Sequence, residues 1–251
     1  VWEFNSGLIF TSIWVLYYSV MKLSLFEISL IYIVITVSNL ILEIPTGILA
    51  DMYSRRLSVI LGGVFIGLAY VLMGAYPAIG IALLASVIEA IGDTCVSGAL
   101  QAWIADEVGT ERVGGVFLRG RQVAIPAHWM GVLLSLVLAA WFSIRVPIVT
   151  GGAMWFVLTF FLILFMPETK YQRAGAGSSH HLASQFRVTL KTFVEGARLV
   201  RGSQILILLF LAQLFGMMFF DSFYKFSRAN ILQGFSLPVV ALPVLGVLKE
   251  N

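Results

Sequence analysis

Between Leu57 and Ile88 the chain carries no Asp, Glu, Lys or Arg, and between Ile28 and Leu42 it carries none either. Wedged between these runs is Gly47-Ile-Leu-Ala-Asp51-Met-Tyr-Ser-Arg55-Arg56. A helix that crosses a bilayer takes about 20 mostly apolar residues, and each run has room for one. In lipid the backbone must satisfy its own hydrogen bonds, so such runs fold as helices. The charged stretch then reads as a turn at the membrane surface between two crossings. Composition agrees. The 251 residues are 59% hydrophobic and 12% charged, with mean hydropathy +0.95, whereas a soluble domain is about a quarter charged. A soluble fold of this composition would expose large apolar patches. The single cysteine, Cys95, excludes a disulfide within the chain and reads as a packed, inert thiol. Basic residues are scattered between apolar runs, so no nucleic-acid partner is expected.

Seven runs are long enough to span: 4–21, 26–49, 58–76, 79–105, 120–142, 146–166 and 204–224. A signal peptide does not explain the first, which lacks a basic lead and is followed at once by other spans. The turns after spans two, four and six hold Arg55, Arg56, Arg112, Arg119, Arg121, Lys170, Arg173, Arg187, Lys191, Arg198 and Arg201. The opposite side holds only Lys22, Arg145, Lys225 and Arg228. This bias places the N-terminus inside, at the plasma (inner) membrane. The predicted organisation is a six-span half (1–166), a cytoplasmic connection (167–203) and the start of a second half (204–251). Residues 174–181 are small and polar and read as a flexible linker, with His180 and His181 solvated rather than metal-bound. Leu182, Phe186, Leu190, Phe193, Ala197 and Val200 then recur at helical spacing opposite Arg187, Lys191, Glu195 and Arg198, a basic amphipathic helix suited to the membrane surface. The stretch 237–248 is apolar but too short to cross. The expectation is a truncated chain that ends inside an eighth span and, beginning with Val, lacks its natural start.

The charged turn has its own logic. Gly47 permits a close helix approach, and Pro45 weakens the end of span two. Asp51 can accept hydrogen bonds from a helix N-terminus. Arg55 and Arg56 can sit among anionic headgroups and pair with Asp51. Gly47-x-Leu49-Ala50-Asp51-x-x-Ser54-Arg55-Arg56 resembles the signature between spans two and three of the major facilitator superfamily, Gly-x-Leu-Ala-Asp-x-x-Gly-Arg-Arg/Lys, departing only at Ser54. The span count and central connection also resemble that family. The resemblance implies an all-α polytopic helix bundle, a six-helix half plus a seventh span, belonging to a secondary transporter whose halves rock about a central site. It also implies that Asp51 and Arg55, with Gly47 and less firmly Arg56, form a cytoplasmic latch against the second half.

Span four carries the candidate transport site. Glu89, Asp93, Ser97 and Gln101 recur every four residues and share one helix face. Counted from residue 79, Glu89 lies about 15 Å deep and Asp93 about 21 Å deep, at about 1.5 Å per residue. Ionisable groups at that depth are expensive and normally face a cavity or a partner. A pair of like charges favours uptake of a proton or another cation, so the stripe suits proton coupling or cation binding. The alternative is that these side chains only tie span four to its neighbours. The Arg-x-x-x-Gly pattern of drug exporters is absent from span four, and their Gly-Pro signature is absent from span five.

Asn39 and Gln122 are candidate cavity-lining residues. Trp14, Tyr17 and Tyr18 read more simply as interfacial belt aromatics. His128 is either a proton relay or a packing histidine. Glu43 is expected near Arg119 or Arg121, and Asp106 and Glu107 near Arg112. Gln213 and Asp221 are second-half candidates. The leading expectation is a proton-coupled exporter, an antiporter, of a small organic compound, cationic compounds included. The alternatives are a sugar or metabolite importer of the same fold, or a truncated fragment that transports nothing. No phosphate-cradling loop and no metal-ligand cluster appears, so neither an enzyme nor a cofactor nor a metal is expected.

Overall fold

The structure, a computed structural model, describes residues 11–109 and 111–168, and beyond them only 191, 195, 198, 201–209, 211, 212 and 215. The chain divides into two compact units, 1–179 with 242–251, and 180–241. In the first unit six helices follow one another: α1 Thr11–Val20, α2 Leu25–Met52, α3 Arg55–Ala75, α4 Ile79–Val108, α5 Val113–Trp141 and α6 Arg145–Phe165. No strand occurs among the described residues. Helices α2 to α6 are each long and apolar enough to cross a membrane. In the second unit, residues 204–209 are helical and Ser203 Oγ accepts from the Leu206 N–H at 3.4 Å. The first ten residues, His180, His181, Gln213, Asp221 and the segment 237–248 lie outside the described residues, as does most of the expected amphipathic helix.

Local chemistry sets where these helices begin. Ser24 and Glu27 form a capping box at α2: Ser24 Oγ accepts from the Glu27 N–H at 3.3 Å, and the Ser24 N–H donates to Glu27 Oε2 at 2.7 Å. Ser54 caps α3, its hydroxyl oxygen accepting from the Leu57 N–H at 2.9 Å. Helices outrun the apolar segments that foretold them. α2 continues through Pro45 to Met52, and α5 begins at Val113 rather than 120. Arg119 and Arg121 therefore sit exposed on the first turns of α5 and not in a connection.

The bundle is built around α3, which packs antiparallel against α4 on one side and α6 on the other. A Cβ on Gly62 would lie 2.5 Å from Val96 Cγ2 and 2.7 Å from the Gly92 carbonyl oxygen, and one on Gly92 would lie 2.7 Å from the Gly62 carbonyl oxygen. Gly67 and Gly152 repeat the arrangement against α6, with distances of 3.0 and 2.8 Å to each other's carbonyl oxygens. Lipid tails are as apolar as Leu, so helix association in a membrane rests on packing of this kind. The close approach expected at Gly47 is not found: a Cβ there meets nothing within 4 Å, because Gly47 lies on the exposed face of α2.

Two buried clusters fill the bundle. Ile13, Tyr17, Tyr18, Met73, Ala85 and Ile148 belong to one. Val59, Ile66, Val96, Ala99, Trp155 and Met166 belong to the other, nearer the Arg55 end. Tyr17 and Tyr18 are 0% and 4% exposed, so they are core residues and not belt aromatics, and the Tyr17 hydroxyl donates to the Met73 carbonyl. Large apolar side chains point outward instead, Leu40 and Trp141 among them, both 77% exposed, the pattern of a surface solvated by lipid.

Replacing Gly92 by Val should force α3 and α4 apart and cost about 1–3 kcal/mol. Gly47→Ala should leave stability unchanged or raise it, since Ala is the better helix former by about 0.5–1 kcal/mol. Thermal unfolding of both variants in one detergent checks the contrast. A Gly92→Val protein as stable as the original would remove the glycine contact from the fold.

Candidate functional site

At the Arg55 end, the turn between α2 and α3 is held from three sides. Arg55 reaches both acidic helix ends: its guanidinium donates to Asp106 on α4 and lies 3.4 Å from Asp51 Oδ1 on α2. Asp106 was expected to meet Arg112; the structure gives it to Arg55, because α2 and α4 run in the same direction and end side by side. Arg56 turns the other way, its guanidinium donating to the Ile163 carbonyl at 2.5 Å. Asp51 is 60% exposed at its side chain.

A further residue completes this end, and sequence reading missed it. Glu168, just past α6, accepts from the Ser54 hydroxyl at 2.7 Å and from the Arg56 N–H at 3.1 Å. One carboxylate thus sits on the N-terminus of α3, where an anion is favoured, and ties the end of α6 to it. On α4, the Trp103 indole N–H donates to the Pro167 carbonyl at 2.6 Å. The hydroxyl of Ser54 gives a reason for Ser at the one place where the turn departs from the family pattern, since glycine could neither donate to Glu168 nor supply the cap. Only the preference of acidic residues for helix N-termini could have hinted at Glu168, and nothing local says which helix it would reach.

Deeper in the bundle, the α4 stripe meets α2 and α3. Glu89 Oε1 accepts from the Tyr70 hydroxyl of α3 at 2.8 Å. Ser97 donates to Glu43 Oε1 of α2 at 2.9 Å, so Glu43 faces α4 and not the expected Arg119 or Arg121 at the start of α5. The Glu43 carboxylate is also within electrostatic reach of Asp93. Three carboxylates, Glu43, Asp93 and Glu89, therefore share the α2–α3–α4 junction. Parallel α2 and α4 keep one register: Glu43 pairs with Ser97, and one turn earlier on both helices Asn39 stands level with Asp93. Asn39 Oδ1 is buried and accepts no hydrogen bond among the described residues. Gln101, the last residue of the stripe, is exposed, and so is Gln122 on α5. His128 lies half-buried on α5 with its ring 6.1 Å from that of Trp129, on a different helix from the stripe. Tyr70 was not foreseen as a site residue, because the turn of α3 toward α4 is set by glycine contacts rather than by a polar pattern on α3.

Ser54→Ala should cost about 1–2 kcal/mol, combining loss of a helix cap with loss of the bond to Glu168. Glu168→Gln keeps one acceptor oxygen and should cost less. Chemical denaturation in mixed micelles checks this order. Equal stability of Ser54→Ala and the parent would contradict the clasp.

The profile of the Major Facilitator Superfamily matches residues 3–248. An uncharacterized MFS-type transporter of Bacillus subtilis (strain 168), YxaM, is 22% identical over 218 residues, 87% of this chain and 53% of that protein. The chain therefore spans about half the length of this curated relative. The long apolar helices, the Asp51–Arg55 turn and the match over nearly the whole chain lead to one conclusion: the chain belongs to the major facilitator superfamily, as a multi-pass, all-α membrane protein.

Proposed function

We propose that the protein exports a small organic compound in exchange for protons, as an antiporter of the plasma membrane, with its N-terminus and the Asp51–Arg55 turn on the cytoplasmic side. The excess of Arg and Lys at that end supports the orientation. In this reading residues 1–166 form the first half, 167–203 the cytoplasmic connection and 204–251 the beginning of the second half. Asp51 remains largely exposed although Arg55 is near it, and Gly47 has open space beside it. Both features suit a latch that closes on a second half.

The proton-coupling reading rests on Asp93, which the shared register of α2 and α4 sets level with Asn39, whose buried Oδ1 has no hydrogen-bond partner among the described residues. An unmet buried acceptor costs about 1–3 kcal/mol. A protonated Asp93 is a donor, whereas a carboxylate can only accept. Proton uptake therefore converts the Asp93–Asn39 level from two opposed acceptors into a donor and an acceptor, and proton release reverses it. A change in preferred helix packing that follows the proton is what an exchanger needs. Glu89, one turn away on α4, and Glu43 on α2 are the other carboxylates at this junction.

Asp93→Asn holds the site in its neutral, donor-bearing form. Export of ethidium from vesicles driven by an imposed pH gradient should fall at least about tenfold in this variant, while the protein still inserts and folds. Its residual transport should no longer respond to the size of the gradient. Undiminished, gradient-dependent export by Asp93→Asn would remove Asp93 from the mechanism.

A further inference from the structure

Helix α2 is tied to its neighbours by polar contacts at two levels, and a soft stretch lies between them. Glu43 accepts from Ser97 of α4 at 2.9 Å. Asp51, about two turns further on, lies 3.4 Å from Arg55. Between them stand Pro45, Thr46 and Gly47. Pro45 lies inside the helix. It has no N–H to give to the Ile41 carbonyl, and its ring crowds that carbonyl. Thr46 is buried and turns its hydroxyl back on its own helix, donating to the carbonyls of Leu42 at 2.8 Å and Glu43 at 3.3 Å. Back-bonding of this kind slightly weakens a helix and often bends it. Gly47 adds backbone freedom, and a Cβ on it would meet nothing within 4 Å. Yet the helix does not end here. It runs on to Met52, and the Tyr53 N–H donates to the Leu49 carbonyl at 3.0 Å.

We propose that residues 45–47 are a joint in α2, at which the helix end 48–52, with Asp51, moves against the segment that carries Asn39 and Glu43. A hinge is a few residues that absorb a backbone change between firmer pieces, and a kink in a long helix belongs at a proline. Both pieces are anchored. Glu43 is held to α4, while Ile48 and Ala50 are buried, Ala50 within the cluster nearer the Arg55 end. Pro45 and Gly47 lie on the exposed side of α2, so the helix has room to open or close on that side. A proline that merely ended the span would be followed by a break, whereas here the hydrogen-bonded ladder resumes at once. The joint rests on the geometry of α2 alone. Its use, which is to let Asp51 shift while Glu43 stays on Ser97, rests on the transport reading above.

The test is amide hydrogen exchange, read by mass spectrometry, on the purified protein in detergent. In the unaltered protein the amides of residues 46–50 should exchange at least about tenfold faster than those of residues 34–42. Pro45→Ala supplies the missing N–H and a strong helix former, and should slow residues 46–50 about tenfold with no loss of thermal stability. Pro45→Gly also supplies the N–H but keeps the backbone soft, and should stay within about threefold of the unaltered protein. Uniform exchange along α2, or equal exchange by Pro45→Ala and the unaltered protein, would overturn the joint. Ethidium export from vesicles then reads its use. Pro45→Ala should export at least about threefold more slowly although it is no less stable, and Pro45→Gly should keep most of the export. A merely structural proline predicts undiminished export by a stable Pro45→Ala protein, and that result with slowed exchange would remove the joint from the cycle. A protein that shows the exchange pattern and exports nothing contradicts the transport reading and leaves the joint standing.

Discussion

Everything polar in this bundle is positioned by one apolar constraint, the glycine-mediated approach of α3 to α4 and α6. Where Gly62 meets Gly92 and Gly67 meets Gly152, the backbones are too close for any Cβ. In lipid this contact has no hydrophobic competitor to replace it, so it sets both the spacing and the rotation of the helices. The rotation has chemical consequences. With Gly62 against Gly92, Tyr70 comes into reach of Glu89 on the same pair of helices. With Gly67 against Gly152, the end of α6 arrives at the start of α3 and Glu168 can cap it.

Two polar layers result. The layer at the Arg55 end is a network of ion pairs and hydrogen bonds: Arg55 with Asp51 and Asp106, Ser54 and Arg56 with Glu168, Trp103 with Pro167. It ties the ends of α2, α4 and α6 to the start of α3 within the first unit. The second layer brings Glu43 and Asn39 of α2 alongside Glu89, Asp93 and Ser97 of α4, and Asn39 Oδ1 has no hydrogen-bond partner among the described residues. Buried polar groups are ordinarily paired, and in the proposed function the unmet Asn39 Oδ1 is where a mobile partner acts. In the proposed cycle that mobile partner is a proton at Asp93.

Much of the fold was legible in the sequence because lipid leaves few options. Charge-free runs such as 57–88 can only be helices, and a pair of Arg after Asp51 can only sit at their ends. Helix ends were less legible, since helices persist beyond the apolar run that marks them, as α5 does back to Val113. The α4 stripe was readable from spacing alone. Its partners were not, because spacing says nothing about what faces a stripe: Glu43 was directed to Arg119 or Arg121 and instead accepts from Ser97. The rotation of α3 was in principle readable from Gly63-x-x-x-Gly67, a known small-residue packing pattern, which the search for charge overlooked. Gly47 makes no such contact among the described residues, where a Cβ on it would meet nothing within 4 Å. Glu168 and Ser54 are 114 residues apart, a separation no local pattern bridges.

In the proposed transport cycle the α4 stripe faces an aqueous path while the rest of α4 faces protein or lipid. The most direct measurement is cysteine accessibility along α4 in a Cys95→Ser background, using a charged, membrane-impermeant thiol reagent on vesicles. Single cysteines at Asp93, Ser97 and Gln101 should react, and those at Leu84 and Ile91, on the opposite side of the helix, should not. Uniform reactivity around α4, or labelling confined to Leu84 and Ile91, would contradict the account.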